Sequence, residues 1–313
     1  MTLRQLIADY LHYRGALGYR LVRDGQILGA FYHRFERLPL RAITPDRVLR
    51  FLCPDDVCHD TVARRHRALR GFYRYVQGRH GAFLPALPDL PNGATSTFTP
   101  YIYSHAELKR LLRTTPEACG SPLGQVDALM LRTLILLLYG AGLRLGEALA
   151  LNVSDFDLEQ SFLTVRKSKF YKSRLVPFGE ELAQALRIYR RDRDQRHPSD
   201  PDSPVFCLRD GRRAKHKIIE RTFRRLCLTA SVWREGGTRR QPRLHDLRHT
   251  AAVHRLIHWY RSGADLQRLL PRLATYLGHK DLSGTQHYLT FTPQLLRQAS
   301  LRFQRYVGES CHE

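Results

Sequence analysis

Apolar residues in this chain recur mostly at intervals of three and four, the spacing of helices that bury one face. Leu3, Leu6, Ile7, Tyr10 and Leu11 predict a first helix, and the same period predicts a second over residues 21–38. A third helix starts at Thr44-Pro45-Asp46. There Thr offers an N-cap oxygen, and Pro fills the first helical position, where no N–H needs a partner. A fourth runs over residues 60–77 with Val62, Leu69, Phe72, Tyr73 and Val76 on its apolar face. The pattern then lapses. Pro85, Pro88, Pro91, Gly93 and Pro100 crowd one stretch, and proline at that density favours extended chain. Residues 84–100 therefore read as connecting chain.

Helical spacing resumes after Ser104-His105-Ala106-Glu107, a capping box in which Ser and Glu each satisfy a free N–H of the first turn. A mostly apolar helix is expected over residues 125–138, ended by Gly140-Ala141-Gly142, with a new helix starting near Arg144. Residues 161–166 and 174–178 read as two strands of a hairpin around a polar, Lys-rich turn. Further helices are expected at 180–192, 215–230, 246–262, 265–276 and 293–307. No internal repeat is visible. The fold class is thus mainly α (α+β), with a small antiparallel sheet. The domains are drawn as 1–91, a linker at 92–101, and 102–313.

The longest charge-free apolar run, Thr133 to Leu143, is too short to span a membrane. The N-terminus lacks a signal peptide's apolar block. A soluble, intracellular protein is the expectation. The six cysteines, Cys53, Cys58, Cys119, Cys207, Cys227 and Cys311, form no CxxC pair and read as free thiols. Cys53, Cys58 and His59 have no second ligand pair nearby at zinc-site spacing.

Charge sharpens the picture. Lys+Arg number 51 against 29 Asp+Glu, a formal net charge of +22. Only seven of the 51 are Lys, so the cation is overwhelmingly Arg, whose planar fork matches phosphate. Codon usage can enrich Arg too, but an excess this large makes a polyanion the default partner. Both halves carry it. In the fourth helix Arg64, Arg65, Arg67, Arg70 and Arg74 fill much of the polar face. Such a face is either solvated or set against phosphates, and the overall charge favours phosphates.

A few clusters stand out from this bulk. Gly140-Ala141-Gly142-Leu143-Arg144-Leu145-Gly146 tempts one toward a dinucleotide fingerprint, but its spacing is GxGxxxG and it follows a helix rather than a strand. It reads instead as a tight helix–helix turn that aims Arg144, with Glu147 placed to brace it. Three of the seven lysines, Lys167, Lys169 and Lys172, fall within six residues at the hairpin turn. Unlike Arg, Lys can release a proton. His245-Asp246-Leu247-Arg248-His249 sets His245 and Arg248 three apart, on one helical face, where both could grip one oxyanion. A metal site from His245, His249, His254 and His258 competes with that reading, but it lacks an HExxH-type glutamate and would seat Arg248 among its ligands. Leu277-Gly278-His279 reads as a Gly-terminated helix end presenting a histidine. Tyr288 follows nine residues later.

Together, Arg144, Lys169, His245, Arg248, His279 and Tyr288 resemble the active-site set of the tyrosine recombinases, the phage-integrase type of site-specific recombinase. The strings that carry the resemblance are GAGLRLGEALAL, the Lys169 turn followed by SRLVPF, LHDLRHTAA, and LGHKDLSGTQHY. They occur in the family's order over residues 100–310. The resemblance implies an N-terminal helical core-binding (SAM-like) domain and a C-terminal catalytic domain. It implies that Tyr288 is the nucleophile that forms a 3′-phosphotyrosyl bond to DNA. Arg144 and Arg248 would clamp the non-bridging oxygens, and Lys169 would protonate the leaving 5′-oxygen, with Lys167 and Lys172 close by as competitors or DNA contacts. His245 would act as general acid/base, His279 would hydrogen-bond the phosphate, and Glu147 would support. No cofactor and no metal are implied, since two Arg and a His can stabilise a pentacoordinate phosphorus.

The implied partners are double-stranded DNA carrying inverted-repeat sites and further copies of the chain. Four protomers would act on two sites through a Holliday junction, alone or with related recombinases. The apolar residues after 292 would either pack on their own domain or dock on a neighbouring subunit. Two other functions fit part of the pattern: a type IB topoisomerase-like relaxing enzyme, and a non-catalytic sequence-specific DNA-binding regulator. The first differs in joining no second DNA, the second in making no covalent adduct.

Overall fold

A computed structural model describes residues 1–19, 21–55, 57–81, 84–90, 99–121, 123–166, 173–235 and 241–278. The chain divides into two compact units, Met1–Phe98 and Thr99–Glu313.

The first unit is helical. α1 (Leu3–Ala16), α2 (Val22–Phe35), α3 (Pro45–Leu52) and α4 (His59–His80) enclose a core that includes Leu6, Leu28, Phe31, Leu52, Leu69 and Phe72. Thr44 caps α3 through its hydroxyl, as the sequence suggests. α2 stops at Phe35, short of residue 38; the Leu38 N–H closes a turn on the Phe35 carbonyl at 2.9 Å, and Pro39 disfavours helical geometry at Leu38. α4 outruns residue 77: Gly78 is carried within the helix, and Gly81, in the left-handed region, closes it. The proline-rich stretch departs from expectation. Leu84 is buried in this unit's core, Leu87 and Leu90 pack against it, and the His66 ring meets the carbonyl of Pro88 at 3.2 Å. Leucines at every third position turn 84–90 into an extended strap on α4 rather than connecting chain.

The second unit opens with Tyr101–Tyr103 packed on it, so the part of the 92–101 linker that is described belongs to this unit. α5 (His105–Cys119) begins with the expected box: Glu107 N–H donates to Ser104 Oγ at 3.2 Å, and Ser104 N–H to Glu107 Oε2 at 2.7 Å. α6 (Ala128–Gly140) starts three residues later than expected, because Asp127 accepts from the Leu129 and Met130 N–H groups at 2.9 and 3.1 Å. α7 (Leu145–Ala150) follows. Then comes a three-stranded antiparallel sheet in the order β1 (Phe156–Asp157), β2 (Phe162–Val165), β3 (Arg174–Pro177). Its register pairs Val165 with Arg174 and Leu163 with Val176. β1 is two residues long, too short to show alternation. α8 (Glu180–Arg196), α9 (His216–Thr229), α10 (Leu244–Arg261) and α11 (Leu266–Leu277) complete the described unit.

The apolar α6 packs against α5, α8 and α10, and Leu134, Leu137, Leu163, Val176, Phe223 and Leu247 share one core with it. α8 extends to Arg196 because Arg193, though charged, is buried with good partners: it donates to the carbonyls of Pro204 at 3.0 Å and Pro198 at 2.8 Å. The expected helix at 293–307 lies outside the described residues. Among the described residues no helix is long and apolar enough to cross a membrane.

Candidate active site

Three segments of the second unit meet at the C-terminal end of α11. The first is the turn after α6. Gly142 has φ +61°, and a Cβ there would lie 2.7 Å from a methyl of Leu277, so the turn and the end of α11 approach as only glycine permits. Arg144 then occupies the N-cap of α7, one position before the first helical turn. Its N–H donates to Glu147 Oε2 at 3.1 Å, and its guanidinium reaches Glu147 Oε1 at 2.7 Å.

The second segment is the start of α10. The buried Asp246 accepts from the Arg243 N–H at 3.0 Å and from its guanidinium at 2.9 Å. Thr250 ties to the Asp246 carbonyl at 2.8 Å and accepts the Tyr103 N–H at 3.1 Å. This first turn is thereby fixed, and it carries His245 and Arg248.

The third is β3, which opens with Arg174. α11 itself ends at Gly278, with φ +68°. Its last carbonyls have no acceptor role left within the helix and form the negative end of its dipole. Three arginines take them in succession. Arg174 Nε donates to the Tyr276 carbonyl at 3.3 Å, Arg248 to that of Leu277, and Arg144 to that of Gly278 at 3.0 Å. Arg248 also donates to the Gly142 carbonyl at 2.6 Å, which closes the cluster on the first turn.

One buried carboxylate serves two of these cations. Arg174 grips Glu147 with both terminal nitrogens, at 3.1 and 2.9 Å, while Arg144 holds it with one. Burial pushes the Glu147 carboxyl up, but the hydrogen bonds and charge of Arg174, then those of Arg144, outweigh it and bring the pKa down to about 2. Exposure differs in a telling way: the side chains of Arg144 and Arg174 are 34% and 15% exposed, whereas Arg248 as a whole residue is 1% exposed. Arg144 is the guanidinium most open to a ligand. The protein mass around the His245 ring lowers its pKa, Arg248, Arg243 and Arg144 add to this, and Asp246 opposes it. Its ring stands edge-on to that of His249, 4.7 Å between centroids.

His254 lies nine residues beyond His245, about half a turn round the helix. It hydrogen-bonds the Tyr139 hydroxyl through Nδ1 at 2.9 Å and stacks on His105, 4.3 Å away. Burial first, then His105, lowers its pKa to about 4. His245 and His254 thus face different neighbours. Among the described residues no group of three or more His, Cys, Asp or Glu is arranged to hold a metal ion.

Of the residues singled out in the sequence, Arg144, Glu147, His245 and Arg248 come together here. Lys167, Lys169, Lys172, His279 and Tyr288 lie outside the described residues. Arg174 was not singled out. Its only sequence signal is a lone cation opening an apolar strand directly after the Lys-rich turn, and its partners are remote in sequence. On α4, Arg64, Arg67 and Arg70 are exposed. Arg65 turns inward, donating to the Phe51 carbonyl at 2.8 Å with its guanidinium over the Phe51 ring. Arg67, Arg70 and Arg74 line a cleft with Arg14, Tyr13 and Tyr75.

The chain is similar to known proteins in sequence and in fold. The sequence model of the phage integrase family matches residues 102–294. The Sinorhizobium fredii protein y4rB, named by inference as an integrase/recombinase, is 34% identical over 97% of this chain and 98% of its own. The tyrosine recombinase XerA of Pyrococcus furiosus is 30% identical over 74% of this chain and 70% of its own. Among solved structures, the Tn1549 transposon integrase in complex with transposon right end DNA aligns over 97% of this chain and 100% of its own, with a TM-score of 0.70 at 18% identity. A lambda integrase dimer bound to a core site aligns over 91% of this chain and 97% of its own, with a TM-score of 0.65 at 18% identity. At such identities the last two speak for the fold alone.

Proposed function

The chain belongs to the phage integrase family, the tyrosine recombinases, and on that premise we propose that it exchanges strands between two duplex DNA sites through a covalent bond to Tyr288. The phenolic oxygen of Tyr288 attacks the scissile phosphorus, the bond to the 5′-oxygen breaks, and a 3′-phosphotyrosyl linkage forms. Lys169 gives the leaving 5′-oxygen its proton, and His245 accepts the phenolic proton. Charge builds on the non-bridging oxygens in the transition state, and donors fixed beforehand lower that barrier most effectively. Arg144, Arg248 and His279 are those donors. Attack by a 5′-hydroxyl from the other site reverses the step. The phosphodiester energy is kept throughout, so neither ATP nor a metal is required. Four protomers on two inverted-repeat sites, passing through a Holliday junction, carry the exchange to completion.

The observation that supports this reading most is the anchoring of Arg248 and Arg144 on consecutive carbonyls, Leu277 and Gly278, in the turn that leads into His279. Two of the groups assigned to one phosphate, Arg248 and Arg144, are thereby tied to a single point of the chain. The net charge of +22 supplies the remaining grip on DNA. The N-terminal share of that grip falls to the exposed Arg64, Arg67 and Arg70.

A nicked suicide duplex, which loses the 5′-hydroxyl needed for religation, tests the chemistry. The wild-type protein accumulates a denaturant-resistant protein–DNA adduct, and Tyr288→Phe binds the duplex without forming one. An adduct on the Phe variant overturns the Tyr288 assignment. Relaxation of supercoils without joining of two DNAs identifies a topoisomerase-like enzyme. Binding without any adduct identifies a regulator.

A further inference from the structure

We propose that Arg174 is a positioning residue for Arg144: by matching both oxygens of Glu147, it limits Arg144 to a one-pronged contact with that carboxylate and leaves its guanidinium partly open for the scissile phosphate. This rests on the strand-exchange reading above. The chemistry begins with Glu147, whose side chain is only 9% exposed and sits beside two guanidiniums. A buried carboxylate draws the arginine that can match its two oxygens with two parallel N–H bonds. Arg174 makes that match, at 3.1 and 2.9 Å, and spends its remaining Nε on the Tyr276 carbonyl. All three of its nitrogens are thus committed within the protein. Arg144 is left with a single terminal nitrogen on Glu147 Oε1 and the other on the Gly278 carbonyl.

Without Arg174, the nearest cation for both oxygens of Glu147 is Arg144, already in contact from the N-cap of the same short helix. The two-pronged pair would then form there. Arg144 would leave the Gly278 carbonyl, turn inward and lose the charge it presents to a phosphate. Lys at position 174 cannot prevent this fully, because an ammonium is a point donor that leaves one carboxylate oxygen available. Gly278 fits the same picture from the other side. A Cβ at that position would lie 2.9 Å from the Arg174 guanidinium carbon, so the fork occupies space that any side chain at 278 would claim.

The test uses the full-length protein, saturating suicide duplex and a temperature at which every variant is folded. Arg174→Met slows adduct formation by roughly a hundredfold, the scale of losing one preorganised donor, while DNA affinity stays within a few-fold. Arg174→Lys falls between Met and wild type. The decisive arm is the double variant. Adding Glu147→Gln to Arg174→Met removes the carboxylate charge that captures Arg144, and recovers about tenfold of the lost rate. A purely structural Arg174 predicts no such recovery in rate.

If Arg174→Met cleaves as fast as wild type, or if the double variant is no faster than Arg174→Met, the inference is overturned. If the wild-type protein itself forms no adduct, the strand-exchange reading falls and this inference with it. Should the Met variant fail to fold, Arg174→Lys with and without Glu147→Gln carries the same comparison.

Discussion

Arg248 and Arg144 reach one turn from two separate segments and donate to neighbouring carbonyls, those of Leu277 and Gly278. Their spacing is therefore set by the main chain at the end of α11. Buried Arg248 supplies rigidity, and the more open Arg144 supplies access.

This division makes Arg144 a residue of rate rather than affinity. Arg144→Ala should lower the single-turnover cleavage rate at saturating DNA by about 10²–10³-fold, the usual loss for a transition-state donor. Equilibrium binding should change little, because most of the +22 charge lies elsewhere. The slope of log affinity against log salt, which counts phosphate contacts, should fall by about one unit at most. Loss of affinity with an unchanged rate once bound would contradict this role.

The Glu147 carboxyl links the site to acid stability. Its pKa is about 2 in the fold against an ordinary 4.5. A depressed folded pKa means stability that is complete above 4.5 and is lost as pH falls toward 2. The shift corresponds to about 3 kcal/mol. Urea unfolding from pH 6 to pH 3 should show wild type losing stability faster than Glu147→Gln, so the two curves converge in acid. Parallel curves would contradict the ion-pair account.

His245 has its pKa held below 6.5 by crowding and by three arginines. At neutral pH it is therefore unprotonated and able to accept the phenolic proton. The rate of adduct formation should rise with pH through a midpoint below 6.5 and then level off. His245→Asn should lower the plateau by about 10²–10⁴-fold and abolish that limb. A limb that persists in the Asn variant assigns it to another group.

Gly142 tests the packing beneath the site. Alanine there meets a left-handed backbone and a methyl of Leu277. Together these should cost about 2–4 kcal/mol. The urea midpoint should fall with an unchanged slope, the mark of a stability effect alone.

Local chemistry accounts for what could be read in advance. Thr44-Pro45, the Ser104–Glu107 box and the turn at Gly140-Ala141-Gly142 each act within a few residues, so their strings suffice. The start of α10 at LHDLRH was equally local. The exceptions share a cause: each depends on a partner far along the chain. Arg174 acquires its meaning from Glu147 and Tyr276, His254 from Tyr139 and His105, and Leu84 from the core of the first unit. β1 exists because β2 pairs with it, and two residues leave no period to find. The acceptors at Tyr276, Leu277 and Gly278 were beyond any reading of side chains, since a carbonyl belongs to every residue type.

That last point reaches into heredity. Point mutations exchange side chains, and no exchange deletes the oxygens that seat the three arginines. Insertion or deletion of one codon within α11 is another matter, because it turns the helix end by about 100° and carries all three acceptors away together. Along this segment, then, residue identity should be freer to vary than length. A library of single-residue insertions through α11, scored for cleavage, should lose activity more uniformly than a substitution library over the same positions.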